Sequence, residues 1–288
     1  MGGVLASSLK KFPALLKFLL IAVLATTSLC AQQIVFVGNS FTFYPGPGGI
    51  GRVTDLNKGR GGGVPEMFDV LARAGGRSPE VHMEAVGGKN LRFHYLEKDF
   101  LLDRHWDVVV LQDYSTGPLI EGGDDRNHEA FRLYLLRFRT LFTAKNPDVK
   151  IWLYETWGRP DLVMKGRFDS VAAMQAGLTK NYSEAARDFG FAGHVPVGGA
   201  FLAAVRAGLA DDPSTSEVEG PLSLWGPDHY HQNQVGAYLA ALVFYGAIYD
   251  ADPRSLPADN VAAKAGGLTV EQSRSLQALA WEQLQATR

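Results

Sequence analysis

Along the chain, short apolar runs that end in glycine or a polar residue alternate with longer stretches of helical periodicity. Ile34-Val35-Phe36-Val37 is the first such run, with three β-branched residues in four, and it stops at Gly38. A run that is apolar at every position rather than every second one predicts a strand buried on both faces, the habit of parallel strands inside α/β proteins. Further strands are expected at 81–86, 106–112 and 149–154, and a short fifth one at Val195-Pro196-Val197. Between them, 64–74 places Met67, Phe68, Leu71 and Ala72 on one helical face, with Pro65 in the first turn and Gly75-Gly76 as the stop. Helices are also predicted from 89, over 127–144 (with Phe131, Leu135, Phe138, Leu141 and Phe142 as core contacts), and at 168–189, 200–210, 234–249 and 270–286. Residues 211–221, rich in Asp, Ser and Pro, read as a loop. Strands alternating with helices of this length call for right-handed crossovers. The expected fold class is α/β: a three-layer α/β/α sandwich around a central, mostly parallel sheet of about five strands.

Composition changes this picture only at the amino terminus. The chain has 288 residues, 46% of them hydrophobic, which is ample for a sizeable core. Its 28 basic and 30 acidic residues give a formal charge of -2, so no nucleic-acid footprint is expected. Lys10, Lys11 and Lys17 border apolar segments at 12–16 and 18–25, followed by small residues and Gln32-Gln33. That is the pattern of a secretory signal peptide, residues 1–31, leaving 32–288 as a single exported domain without repeats or linkers. A membrane anchor is the alternative, but the uncharged run is shorter than the about 20 residues that span a bilayer. Cys30 is the only cysteine. It makes a poor lipoprotein site because Leu29 stands where a small residue is wanted. The mature chain is therefore expected to have no disulfide, no cysteine-based metal site and no cysteine nucleophile.

Candidate chemistry begins just past the first strand. Ser40 follows Gly38-Asn39 at the strand's carboxyl end, the edge where open α/β sheets bind ligands. It reads either as a nucleophile or as part of an ordinary turn. Gly46, Gly48 and Gly51 satisfy the dinucleotide spacing G-x-G-x-x-G, but Pro47 lies inside it and no helix follows directly, so a flexible active-site loop is the better reading. Of seven histidines, His231 has a carboxylate, Asp228, three residues before it. From the same turn Asp228 could accept the Nδ1 proton and leave Nε2 for a serine hydroxyl. The competing readings are that Asp228 caps the turn, or that His229 and His231 form a metal pair, which lacks a third ligand.

Taken together, Gly38-Asn39-Ser40-Phe41-Thr42, Gly87-Gly88, Leu111-Gln112 and Asp228-His229-Tyr230-His231-Gln232-Asn233-Gln234-Val235-Gly236 resemble the four blocks of the SGNH (GDSL-like) hydrolases. The last block fills every position of Asp-x-x-His, the following Asn and the Gly. The resemblance covers about residues 33 to 250, and it implies a flavodoxin-like sandwich and an esterase without cofactor or metal. It gives Ser40 as nucleophile and oxyanion donor, Gly88 (or Gly87) as a second backbone donor, Gln112 as a side-chain donor, His231 as base and Asp228 as its orienter. Two positions depart from the pattern: Asn39 stands in place of Asp, and Gln112 replaces the Asn of Gly-x-Asn-Asp. An α/β-hydrolase elbow is a poorer match, since Thr42 occupies its second glycine. Export, Trp157 at a strand end and the glycine-rich loop lead to the expectation of an esterase on acylated carbohydrate. Lipid and aryl esters are alternatives, and a non-catalytic exported module of the same fold is the rival class.

Overall fold

The computed structural model describes residues 31–46, 48–215 and 220–287. Residues 1–30, which hold Cys30 and all but the last residue of the expected signal peptide, lie outside the described residues. The strands are β1 (Gln33–Gly38), β2 (Val53–Asp55), β3 (Glu80–Ala85), β4 (Val108–Leu111), β5 (Lys150–Tyr154) and β6 (Gly193–Val195). They form one sheet of order β2-β3-β1-β4-β5-β6, and every neighbouring pair is parallel. The helices are α1 (Ser40–Phe43), α2 (Gly63–Ala74), α3 (Leu91–Leu102), α4 (Arg126–Lys145), α5 (Pro160–Met164), α6 (Val171–Asp188), α7 (Val197–Arg206), α8 (Gln234–Tyr249), α9 (Val261–Ala265) and α10 (Val270–Thr287).

The all-apolar strands serve two cores at once because successive side chains leave opposite faces of a strand. Ile34, Phe36, Val108 and Val110 pack with Phe68 and Leu71 of α2, Phe201 of α7 and Leu276 of α10. Val35, Val37, Val109 and Leu111 face the other way, onto Phe131, Leu135 and Phe138 of α4 and Met174, Leu178 and Tyr182 of α6. The expected α4 aromatics are thus core contacts. Helix α8 is buried on all sides from Gly236 to Gly246, which explains why its sequence is apolar without a polar stripe. Truncating one such core side chain to alanine removes about 2–5 kcal/mol of stability.

Two strand expectations change. The sheet has six strands rather than about five, because Val53-Thr54-Asp55 pairs with Val81-His82-Met83 as an edge strand. Three residues with one apolar position carry no periodic signal. The last strand ends at Val195, and Val197 already begins α7. Pro196 offers no N–H to a strand ladder, and it stands as the residue before that helix.

Register fixes what meets at the active edge. Gly38 pairs with Ala85 and Val37 with Leu111, so the segments leaving β1, β3 and β4 emerge side by side. Those segments carry Ser40, Gly87-Gly88 and Gln112.

Candidate active site

Ser40 opens the one-turn helix α1 directly after β1. Asn39 is extended (φ -130°) and caps that turn, its Oδ1 accepting the Phe41 N–H at 3.1 Å. The Ser40 hydroxyl is therefore held on a helix end rather than on a free loop.

His231 arrives from a tight loop closed on itself: Gly226 N–H donates to the His231 carbonyl at 2.7 Å and His229 N–H to the Gly226 carbonyl at 2.9 Å. His229 takes the left-handed conformation (φ 51°) that this reversal needs. Asp228 Oδ1 accepts the N–H groups of Tyr230 (3.1 Å) and His231 (3.0 Å), while Oδ2 meets His231 Nδ1 at 2.7 Å. His231 Nε2 lies 2.8 Å from Ser40 Oγ. Partial burial pushes the Asp228 carboxyl up, but these hydrogen bonds outweigh it and hold the group below the usual carboxylate range. An ionised Asp228 keeps the proton on Nδ1, so Nε2 is the atom that can accept the serine proton. With both ring nitrogens engaged, His231 is not free to share a metal with His229.

The loop is braced from two sides that the sequence did not disclose. Gln232 is fully buried, and its Nε2 donates to the carbonyls of Phe41 (3.0 Å) and Tyr44 (2.6 Å), tying the histidine loop to α1. From the β5 end, Trp157 Nε1 donates to the Tyr230 carbonyl (3.1 Å) and Asp161 N–H to the His229 carbonyl (3.1 Å). The Arg159 guanidinium, paired with Asp161, lies 3.6 Å from the centre of the Tyr230 ring, which itself packs 4.1 Å from the His231 ring. The sequence signal for this brace is an arginine and an aspartate two apart just beyond a strand end. Trp157 is 0% exposed, stacked between Phe41 (4.3 Å) and Phe201 (4.8 Å), so it is a supporting wall and not a platform for a sugar ring.

The other site candidates lie on the segments that leave β3 and β4. The N–H groups of Ser40, Gly87 and Gly88 are donated to no acceptor among the described residues. Gly88 has φ 71°, a conformation that suits glycine, and it lines a cleft of about 290 Å³ with Asn90, Arg92, Tyr114, Thr116 and Asn127. Neither Ser40 nor His231 lines this cleft, and a larger cavity of 680 Å³ opens where β4 and β5 begin, beside Val108, Lys150 and Trp152. Gln112 is fully buried: its Oε1 accepts the Asn39 N–H (2.8 Å) and the Thr42 hydroxyl (3.0 Å), and its Nε2 donates to the Asp113 carbonyl. Asp113 is buried as well, and its Oδ1 accepts the Leu91 N–H at 2.8 Å. Burial pushes its carboxyl up to about 6 against those hydrogen bonds. The glycine-rich loop is anchored, since Glu66 of α2 accepts the N–H groups of Gly48 (2.6 Å), Ile50 (2.9 Å) and Gly51 (3.3 Å). Among the described residues no group of three or more His, Cys, Asp and Glu side chains is arranged to hold a metal, and no helix is long and apolar enough to cross a membrane.

No protein-family model and no curated protein matches the sequence. Solved structures do. A DUF4886 family protein from Bacteroides uniformis superposes with a TM-score of 0.60 at 17% identity, over 88% of this chain and 95% of that one. A protein described as a GDSL-like lipase from Parabacteroides merdae gives 0.50 at 17% identity, over 75% and 96% of the two chains. An acetyl xylan esterase gives 0.50 at 18%, over 75% and 98%. The likeness is one of fold: this chain's parallel sheet flanked by helices on both faces, with Ser40 just past its first strand, is an α/β architecture shared with that GDSL-like lipase and that acetyl xylan esterase.

Proposed function

We propose that this protein is an exported serine hydrolase that cleaves ester bonds through an acyl-enzyme. The observation that carries the reading is the continuous chain Ser40 Oγ, His231 Nε2, His231 Nδ1 and Asp228 Oδ2, with links of 2.8 and 2.7 Å, beside unclaimed backbone N–H groups. Ser40 Oγ attacks the ester carbonyl carbon as its proton passes to His231 Nε2, and Asp228 stabilises the imidazolium. The oxygen that gains charge is met by the N–H groups of Ser40 and Gly88. His231 then protonates the leaving alcohol as the ester C–O bond breaks, leaving acylated Ser40. In the second half a water gives its proton to His231 and attacks the acyl carbon; Ser40 recovers its proton and the acid departs.

The polar cleft beside Gly88, with Asn90, Tyr114, Thr116 and Asn127 on its walls, supports an acylated carbohydrate as the substrate. Its volume of about 290 Å³ suits one sugar-sized group better than a long acyl chain. One of the structural neighbours is an acetyl xylan esterase, in keeping with that choice. The amino-terminal pattern supports export.

An active-site-directed fluorophosphonate should label the wild type and spare Ser40→Ala. In parallel, acetylated xylo-oligosaccharides should be turned over with higher kcat/KM than p-nitrophenyl butyrate. Equal labelling of Ser40→Ala would reject the nucleophile, and a preference for the butyrate ester would reject the carbohydrate.

A further inference from the structure

We infer that Gln112 is a positioning residue: its amide locks the nucleophile turn to the end of β4, while Asn39 ties the same turn to the turn after β3, so that the oxyanion site is built from backbone N–H groups alone. The inference rests on the esterase reading above and departs from the side-chain donor that the family resemblance implies.

The amide of Gln112 has no hydrogen-bonding capacity turned toward solvent, since the side chain is 0% exposed. Its oxygen takes the Asn39 N–H at 2.8 Å and the Thr42 hydroxyl at 3.0 Å, gripping the peptide on either side of Ser40 and Phe41. One of the two N–H groups on its nitrogen goes to the Asp113 carbonyl, and the other has no acceptor among the described residues. Gly38 explains how so close a grip is reached, because a Cβ there would collide with both Gln112 Oε1 and Thr42 Oγ1. The bracket is completed by Asn39, whose Nδ2 donates to the Lys89 carbonyl at 2.8 Å and lies 3.5 Å from the Asp113 carbonyl. Lys89 is the residue after Gly88. One hydrogen-bonded unit therefore sets Ser40 N–H, Gly88 N–H and the end of β4 relative to one another, and a buried hydrogen-bond network of this kind restricts motion. Two donors fixed before substrate arrives need no reorganisation when charge develops on the oxygen.

Thr42 separates this arrangement from direct donation. It is fully buried and its hydroxyl reaches Gln112, not the substrate side. If Gln112 acts through the turn, Thr42→Val lowers kcat for p-nitrophenyl acetate by about 10-fold or more with KM changed less than about twofold, as expected when reacting groups are misplaced by fractions of an ångström. Thr42→Ser restores the rate. Gln112→Met and the double variant Thr42→Val/Gln112→Met then have the same kcat, because both changes break one unit. Wild-type kcat in Thr42→Val beside a loss of ~10²- to 10³-fold in Gln112→Met overturns the inference in favour of a direct donor. Lowered melting temperatures with unchanged kcat in both variants overturn it in favour of a purely structural role. Should Gln112→Met not fold, the Thr42→Val and Thr42→Ser pair decides alone. Amide hydrogen exchange at Asn39 reads the lock without activity: it should quicken in Thr42→Val and return to the wild-type rate in Thr42→Ser. An inactive wild type with that exchange pattern rejects the esterase reading and keeps the lock, whereas an active wild type with unchanged exchange rejects the lock and keeps the esterase.

Discussion

Ser40 Oγ and His231 Nε2 stand 2.8 Å apart although 191 positions separate them in the chain. One hydrogen bond does not hold so distant a pair, since an intramolecular hydrogen bond contributes only about 0.5–1.5 kcal/mol net. The pairing is imposed by what surrounds it. Gln232 bonds the histidine loop to the carbonyls of Phe41 and Tyr44, and Trp157 and Asp161 donate to the carbonyls of Tyr230 and His229. An imidazole held in this way meets the Ser40 hydroxyl without any substrate bound.

The two histidines of that loop should behave oppositely. His231→Ala removes the proton acceptor and is expected to lower kcat by on the order of 10³-fold or more. His229 contributes its backbone in a left-handed conformation, so His229→Gly keeps the loop and should stay within about threefold of wild type. Steady-state kinetics on one ester compares them directly, and a reversed ranking would place the base at His229.

Gly87 and Gly88 are separable by alanine substitution. At Gly88, with φ 71°, a side chain strains the backbone by about 1–2 kcal/mol and shifts the proposed N–H donor. A Cβ on Gly87 would meet the Phe43 ring at an ordinary 3.6 Å. Gly88→Ala should therefore reduce kcat by about 10- to 10²-fold while Gly87→Ala stays near wild type. The opposite result assigns the second oxyanion donor to Gly87.

Glu66 is the anchor of the glycine-rich loop. Its carboxylate accepts three backbone N–H groups and sits in the first turn of α2, where the helix dipole favours negative charge. Glu66→Ala should cost about 1–3 kcal/mol and open residues 46–51 to protease nicking. Denaturant unfolding and limited proteolysis measure the two effects, and an intact loop in the variant would show that other contacts fix it.

Asp113 gives a pH signature. Its carboxyl is raised from 3.8 to about 6 by burial, with the Leu91 N–H and the nearby His94 acting in the opposite direction. Between those values the folded protein binds a proton that the unfolded chain does not. This site's contribution to stability is therefore complete below pH 3.8, falls as pH rises toward 6, and is lost above it. Asp113→Asn keeps an acceptor for Leu91 and removes the titration. Denaturant curves at pH 4, 5, 6 and 7 should show the wild type losing stability relative to the variant across that window, and parallel curves would place the titration elsewhere.

The sequence by itself determined the strands, most of the helices and the pairing of Asp228 with His231 within one turn. Unbroken β-branched runs have few other places to go than the middle of a parallel sheet. Asp228 and His231 are three residues apart, so their hydrogen bond needs only local geometry. The position of Ser40 past β1 was legible for the same reason. Tertiary structure alone decided which way longer side chains turn. Gln112 sits where an oxyanion donor was expected, yet its amide faces Asn39, Thr42 and Asp113, because register sets those groups beside it. Trp157, read from the sequence only as an aromatic at a strand end, is a buried stack between Phe41 and Phe201. The edge strand β2 and the grip of Glu66 on the glycine loop gave no signal in any local pattern, and the Arg159–Asp161 spacing did not say that Tyr230 would be its target. Each depends on a partner at least fifteen positions away, and a residue's own chemistry does not say which distant group the fold will bring against it.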